Sequence, residues 1–294
     1  MPAPMRRQHG LTLIELLLAI TLGMGVILAA SALLGAVKSS YLAVHDHALI
    51  QDSGHYALQV IAQALRQANF VPRDNPALAE LDLNSLAPGV TGLDNSRLGA
   101  TAAALSNPQS NSANYGSDVL AVRYFGSADN SMQNCAGFTV AAPSTTAIAI
   151  ATAAHIDAQR GWSIFFVAAD SAGIPELRCK YATLAGGWNS AAIARGVEAF
   201  HVLYGIADND GNIIQYLPAQ QLTQPQWRHI VAVEFALLVR GEHLSRDDSQ
   251  NVYQLFGPAY QNQGDAQVTI SARAQARKLR SIFRMTVRLR NPPA

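Results

Sequence analysis

The stretch that decides the fold is Gly10-Leu11-Thr12-Leu13-Ile14-Glu15-Leu16-Leu17-Leu18-Ala19-Ile20, the start of an apolar run that continues to about Val37. Glu15 is the only ionisable side chain in residues 11–37. About 20 apolar residues suffice for a helix to cross the hydrocarbon core of a bilayer. The sequence therefore predicts a membrane-spanning helix over residues 11–37, with a single acid near its start.

An acid inside a membrane segment is costly and usually has a partner and a function. No basic residue in the run can pair with Glu15. If the chain were cut after Gly10, Leu11 would carry a free α-amino group one helical turn before Glu15, on the same face of the helix. The terminal amine of this chain, or of a packed neighbour, would then neutralise the carboxylate.

The ten residues before that bond form a short basic leader that contains Arg6 and Arg7. A secretory signal peptide is cut after its apolar region. Here the cut would precede the apolar region and would leave the anchor on the mature protein. Basic residues tend to stay on the cytoplasmic side, so we expect the leader in the cytoplasm and the remainder of the chain to be exported.

The junction between Gly10 and Leu11 resembles the class III leader junction of type IV pilins and type II secretion pseudopilins. The resemblance implies that a prepilin peptidase cuts there and methylates the new terminal amine, and that Glu15 guides assembly into a filament. The first mature residue of the superfamily is usually Phe or Met, whereas this chain has Leu, which is apolar and of similar bulk. The alternative is an ordinary signal anchor with a chance acid.

The apolar run passes without a break into a second helical pattern. Leu58, Ile61 and Leu65 recur at helical spacing, and Pro72 supplies a stop. The sequence predicts one helix over residues 11–70, apolar all round in its first half and with one apolar stripe in its second half. The first half suits lipid or a filament core, and the second half suits packing on a globular head.

The rest of the chain indicates a connection followed by strands. Residues 71–117 are rich in Asn, Ser, Ala, Gly and Pro, which predicts a loop-rich surface connection. Residues 118–294 predict an antiparallel β-sheet head, so the fold class is α+β, with the long N-terminal helix packed on the sheet. The strand candidates are 118–125, 138–141, 164–168, 176–181, 197–206, 212–216, 230–239 and 278–290.

Two features of the strands are especially clear. The turn Asp208-Asn209-Asp210-Gly211 separates two apolar strands, which favours a tight hairpin. The last strand, 278–290, alternates apolar and basic residues, which is typical of a strand with one face on a core. Its basic face could bind DNA phosphates, or it could be a solvated face that discourages edge pairing.

Motifs in this half resemble the PilW family of type IV minor pilins. They are Gly196-Val197-Glu198-Ala199-Phe200, Trp227-Arg228-His229-Ile230 and the closing Val287-Arg288-Leu289-Arg290-Asn291, in that order. The resemblance implies a subunit that primes pilus assembly and can remain at the tip. It also implies other minor pilins, the major pilin and prepilin peptidase as partners, with the head in the periplasm before assembly and in the pilus afterwards.

The two cysteines, Cys135 and Cys179, would lie in the oxidising space outside the inner membrane. A disulfide between them is favoured over two separate buried thiols. Zinc is disfavoured because neither Cys belongs to a close ligand pair. Calcium at the Asp208 turn is disfavoured because Ile206 and Leu217 occupy positions where ligands would be needed. His45 and His47 lie on different faces of a helix, so a metal site there is also disfavoured.

The sequence contains no Gly-x-Ser-x-Gly elbow, no His-Glu-x-x-His pair and no phosphate-binding glycine loop. We therefore predict a non-enzymatic subunit without a cofactor. The nearest rival is the J-class pseudopilin of type II secretion, which shares the plan of helix and sheet. A tip adhesin or DNA-binding module is a further alternative, and an exported, anchored enzyme is the weakest one.

Overall fold

The long N-terminal helix is the first element of the computed structural model, which describes residues 12–73, 75, 78, 82–110, 114–144, 152–208, 210–244, 252–260, 267–270 and 277–291. This helix, α1, spans Leu13–Gln67. Contacts divide the chain into two units, Met1–Asp46 and His47–Ala294, and α1 contributes residues to both. The predicted helix over residues 11–70 agrees with α1 to within three residues at each end.

The end of α1 is fixed by its caps. Asn69 has a φ of 57°, the left-handed conformation that commonly follows the last turn of a helix. Its backbone N–H donates to the Arg123 carbonyl at 3.0 Å. The Asn291 side-chain amide donates to the Ala68 carbonyl at 3.1 Å, so a residue near the chain's end satisfies the last turn of its first helix.

The strands follow α1 along the chain. In the part of the chain that the structure describes they are β1 (Val90–Leu93), β2 (Ser96–Arg97), β3 (Gln109–Ser110), β4 (Val119–Tyr124), β5 (Gly161–Ala169), β6 (Pro175–Ala182), β7 (Trp188–Arg195), β8 (Val197–Ala207), β9 (Ile213–Leu217), β10 (Ile230–Leu244), β11 (Val252–Gln254), β12 (Gln267–Thr269) and β13 (Lys278–Arg288). A short helix, α2 (Ala153–Ala158), precedes β5.

These strands form two main antiparallel sheets. The first has the order β1-β4-β5-β6-β7, and the second has the order β13-β10-β8-β9. Two small ribbons, β2-β3 and β11-β12, accompany them. The predicted single sheet is therefore corrected to two sheets, while the α+β class and the antiparallel pairing are confirmed.

The two sheets are joined by a single residue, Gly196, between the end of β7 and the start of β8. Gly196 has a φ of 82°, which L side chains rarely adopt. A Cβ atom there would lie 2.6 Å from the Arg240 carbonyl oxygen. Both the conformation and the close approach require glycine. The strand prediction began at residue 197, directly after this glycine, but it did not predict the transfer from one sheet to the other.

One hydrophobic core joins the inner faces of both sheets to the α1 stripe within the second unit. The helix contributes Ile50, Ala57, Leu58, Ile61, Ala62, Ala64, Leu65 and Ala68, all at most 5% exposed. The strands contribute Phe165 and Leu177 from the first sheet, and Phe200, Phe235 and Phe283 from the second, among others. The predicted packing of the stripe on the sheet is thereby confirmed.

Gly54 lets α1 approach the last strand closely. A Cβ atom at this position would lie 2.4 Å from ring atoms of Phe283. The Phe283 ring also meets the His55 ring edge to face, with 5.4 Å between ring centroids. His55 thus has a packing role beside β13.

The stretch predicted as a surface connection, residues 71–117, contributes to the fold. Its β1 is an edge strand of the first sheet and pairs with β4 through Val90 and Val122. Leu86, Val90 and Leu98 are buried. The prediction missed this strand because it is only four residues long and has a glycine in its interior, which weakens a strand pattern. Conversely, 138–141 is not a strand but holds one isolated bridge, between Gln133 and Thr139.

The basic face of β13 is a second correction. Arg280 is buried, and its guanidinium donates to Glu198 at 2.6 Å. Arg284 donates to the Phe256 carbonyl at 2.8 Å, and Arg288 donates to the Gly211 carbonyl at 3.2 Å. Arg280 is therefore withdrawn from solvent, whereas Arg284 and Arg288 stay exposed while each donates a hydrogen bond to a backbone carbonyl, so the predicted solvated face is corrected at Arg280.

The Glu198–Arg280 pair gives a stability prediction. Arg280→Met would leave the Glu198 carboxylate buried beside Arg240 alone, which lies 3.4 Å away. Removing one partner of a buried pair costs roughly 3–5 kcal/mol. We expect a loss of that order in the free energy of unfolding, measured by denaturant titration of the detergent-solubilised chain. The double variant Glu198→Gln, Arg280→Met should recover part of it, and a double variant as unstable as the single one would contradict this account.

Candidate functional site

The start of α1 carries a reciprocal pair of hydrogen-bonded side chains, Thr12 and Glu15. The Thr12 backbone N–H donates to Glu15 Oε2 at 2.9 Å, and the Thr12 hydroxyl donates to the same oxygen at 3.0 Å. In return the Glu15 N–H donates to Thr12 Oγ1 at 3.3 Å. This is a capping box, in which the first residue and the acid three positions later satisfy backbone donors that the helix itself cannot satisfy.

The capping box also explains how an acid is accommodated in an apolar run. Both Thr12 donors converge on one carboxylate oxygen, Oε2. The described residues donate no hydrogen bond to Oε1. One oxygen is thus held locally, while the other can accept a donor from outside the helix.

Apart from Glu15, the surface of α1 up to Val37 is largely apolar. Leu13, Leu22, Leu28 and Leu34 are each at least 67% exposed within this unit. The Thr21 hydroxyl donates to the Leu18 carbonyl of its own helix at 2.9 Å, so this polar group needs no external partner. The helix is long and apolar enough to cross a membrane.

Glycines add shallow gaps to this surface. Gly23, Gly25 and Gly35 have no atom of the described chain within 4 Å of an added Cβ. Small residues let neighbouring helices in a membrane approach closely. The helix shows no kink at these positions, since α1 is continuous from Leu13 to Gln67.

The other predicted site residues have different positions. Gly10 and Leu11, the proposed cleavage pair, lie outside the described residues. Cys135 and Cys179 are joined in a disulfide with their Cα atoms 5.8 Å apart, which confirms the predicted pairing. Asp208 Oδ1 accepts the N–H groups of Asp210 and Asn212 and thereby closes the hairpin turn.

Comparison with known proteins covers both ends of the chain. Residues 5–33 match the model of the prokaryotic N-terminal methylation motif. Residues 164–291 match the model of the Type IV Pilus-assembly protein W family, PilW. These matches leave residues 34–163 uncovered, which includes β1, β4 and Cys135.

A similar solved structure is the type IV-like pilin TTHA1219 from Thermus thermophilus. It is 12% identical, with 83% of this chain and 98% of that chain covered, at a TM-score of 0.37. No curated protein matches the chain.

The methylation motif, the apolar helix that begins at its capping box and the antiparallel head define a type IV pilin-like protein. Within that class, residues 164–291 are similar to the PilW family of type IV minor pilins, in a match that includes strands of both sheets.

The capping box gives a prediction for the first helical turn. Thr12→Val keeps the shape of the side chain but removes the hydroxyl that holds Glu15. Loss of an N-cap side chain destabilises the first helical turn by about 1 kcal/mol, which raises the equilibrium constant for opening of that turn about fivefold. We expect amide exchange at Glu15 and Leu16, whose N–H groups donate to Thr12, to quicken by about that factor, measured by hydrogen exchange of the full chain in nanodiscs. Thr21→Val is the matched control and should leave the first turn unchanged; an unchanged first turn in Thr12→Val would contradict the capping role.

Proposed function

We propose that the chain is cut between Gly10 and Leu11 by prepilin peptidase, methylated at the new amine, and assembled into a type IV pilus, where it primes assembly at the tip. The observation that carries this proposal is the Thr12–Glu15 capping box at the start of an exposed apolar helix, within the matched methylation motif. Before assembly the chain is anchored in the inner membrane by residues 11–37, with its head in the periplasm.

In the mature chain Thr12 is the second residue, directly beside the new terminal amine. The carboxylate of Glu15 keeps Oε2 on the two Thr12 donors and offers Oε1 to the amine of a neighbouring subunit. Charge-assisted hydrogen bonds of this kind are roughly twice as strong as neutral ones. Such a hydrogen bond stabilises the assembled arrangement more in an apolar environment, because a carboxylate without a partner is costly there. Glu15 therefore selects a subunit arrangement in which a neighbour's amine reaches it.

The head is proposed to act by contact rather than by catalysis. Its partners are other minor pilins and the major pilin, and the disulfide suits the oxidising periplasm. Similarity to the PilW family supports a structural, non-enzymatic role.

Two alternatives carry different expectations. A J-class pseudopilin of type II secretion would share the same processing, so gene deletion separates the two functions: loss of twitching supports the pilus, and loss of secretion supports the pseudopilin. A DNA-binding tip module has less support, because Arg280 is buried in an ion pair with Glu198 and only Arg284 and Arg288 of these three cations are exposed.

Processing is tested at the cleavage pair. Gly10→Val should block the peptidase, because a branched side chain at the scissile bond obstructs access to it. We expect intact-mass measurement to show the leader retained in this variant. The unaltered chain should begin at N-methylated Leu11, as should the control Gly23→Val, whose site is open. An unaltered chain that keeps residues 1–10 in the presence of the peptidase would contradict the proposal.

Assembly is tested at the acid. Glu15→Gln keeps the size of the side chain but removes its charge, and hydrogen bonds to a charged group are worth more than those to a neutral one. We expect normal cleavage and at least about a tenfold loss of the subunit from sheared pili relative to membranes, measured by immunoblot. Thr21→Val, in the same span, should assemble normally. Assembly of Glu15→Gln at the unaltered level would show that the acid has no such role.

A further inference from the structure

The uncharged part of α1 has a definite length. Glu15 and Lys38 enclose residues 16–37, which contain no acidic or basic side chain. Because α1 is continuous through this segment, it rises about 33 Å at 1.5 Å per residue. The hydrocarbon core of a bilayer is about 30 Å thick, and a helix tilted by about 20° crosses it with about 21 residues. The separation of the acid from the base therefore matches one bilayer.

The complete apolar run is longer than one bilayer requires. Residues 11–37 rise about 40 Å, and a tilt of about 40°, the upper end of the observed range, would be needed to immerse all of them. At an average tilt, two positions of the helix are available. A span over residues 11–31 immerses Glu15, whereas a span over residues 16–37 leaves Glu15 at the boundary.

The end of the run carries side chains that suit a membrane surface. Lys38, Tyr41 and His45 are spaced i, i+3 and i+7, so they share one face of α1. We call these three residues the surface stripe. The rings of Tyr41 and His45 lie 6.2 Å apart between centroids. Tyr is enriched at the membrane–water interface, and Lys extends its ammonium group to the head groups. The stripe therefore fits the phosphate-bearing surface of a phospholipid leaflet.

The start of α1 suits the opposite boundary. The first four N–H groups of a helix have no acceptor within the helix. The capping box satisfies two of them, those of Thr12 and Glu15. Hydrocarbon contains no water for the remaining groups, whereas the boundary of the bilayer does. Both the acid and the first helical turn thus favour the span over residues 16–37.

We propose that residues 16–37 cross the bilayer, that the surface stripe binds phospholipid head groups of the periplasmic leaflet, and that Glu15 stays hydrated at the cytoplasmic boundary until assembly. This inference rests on the proposed topology of the membrane-anchored chain. It narrows the anchor from residues 11–37 to the part that lies in hydrocarbon, and it identifies the lipid surface that sets its position.

This position gives Glu15 a second role. Movement of the helix toward the periplasm by one turn, about 5.4 Å, takes the carboxylate into hydrocarbon, where an acid without a partner is costly. Movement toward the cytoplasm takes Lys38 into hydrocarbon at a similar cost. The two charges therefore oppose displacement in both directions. Outward movement becomes favourable where the amine of a neighbouring subunit receives the acid.

Isoleucine methyl groups measure the position of the helix, because Ile14, Ile20 and Ile27 lie along it. The unprocessed full chain, with ¹³C-labelled isoleucine methyl groups, is placed in nanodiscs of dioleoyl phosphatidylcholine. A nitroxide near the end of the lipid acyl chain broadens NMR signals at the centre of the bilayer. The midpoint of residues 16–37 lies beside Ile27, so Ile27 should lose more signal than Ile20. A span over residues 11–31 predicts the reverse order.

A second lipid probe tests the two boundaries. With the nitroxide placed near the head group instead, the Ile14 methyl group and the Tyr41 ring should be the most strongly broadened. Ascorbate reduces the nitroxide and supplies the reference spectrum in each case.

One variant tests whether the acid sets the position. Glu15→Leu lengthens the uncharged segment to residues 11–37, whose midpoint lies between Ile20 and Ile27, so the two signal losses should become nearly equal. Thr21→Val, whose hydroxyl bonds to its own helix, is the matched control and should keep the original order.

Greater loss at Ile20 in the unaltered chain, or an unchanged difference in Glu15→Leu, overturns the inference and leaves processing and assembly as proposed. Absence of broadening at both isoleucines would remove the membrane anchor itself, and with it both this inference and the proposed function.

Discussion

Both sheets of the head bury their inner faces against the same segment of α1, and this shared burial is the constraint on which the rest of the structure depends. The helix supplies a stripe of small and branched residues, and the sheets supply Phe165, Phe200, Phe235 and Phe283. Burial of apolar area at about 25 cal/mol per Å² is the largest favourable term in such a fold. Neither sheet has a complete inner layer without the helix, so the helix is part of the head's core.

The Thr12–Glu15 pair shows how one side chain can serve two environments. In a single subunit the carboxylate completes the hydrogen bonds of the first helical turn. In a filament, the same carboxylate is proposed to meet an amine from a neighbour. The local bonds make the acid tolerable in an apolar run, while the second oxygen keeps it available. A carboxylate that is costly in lipid is in this way kept at a position where the amine of a neighbouring subunit can neutralise it.

Much of this fold could be predicted from the periodicity of apolar residues. The helical period of Leu58, Ile61 and Leu65 corresponds to the buried stripe of α1, and the alternation in residues 278–290 corresponds to β13. The alternation rule failed for Arg280, which it assigns to solvent, because a buried acid on another strand, Glu198, neutralises it. β7 was missed because Asn189, Ser190 and Ala191 show no apolar alternation.

The candidate site was only partly visible in the sequence. The acid could be found from the apolar run and the disulfide from the expected exported compartment, while the cleavage pair stays a prediction. The spacing Thr12-x-x-Glu15 is also the sequence signature of a capping box, and this signal was available but was overlooked beside the membrane pattern.

The contact between Asn291 and the end of α1 has a consequence for the order of events in synthesis. The ribosome makes α1 first, yet its cap at Ala68 and its neighbour Phe283 come from the last strand and the residues after it. The first sheet is built largely from consecutive hairpins and can form while the chain is still emerging. The second sheet and the packing of the helix must wait for residues 278–291. On the proposed topology, the head is complete only after this segment has crossed the membrane.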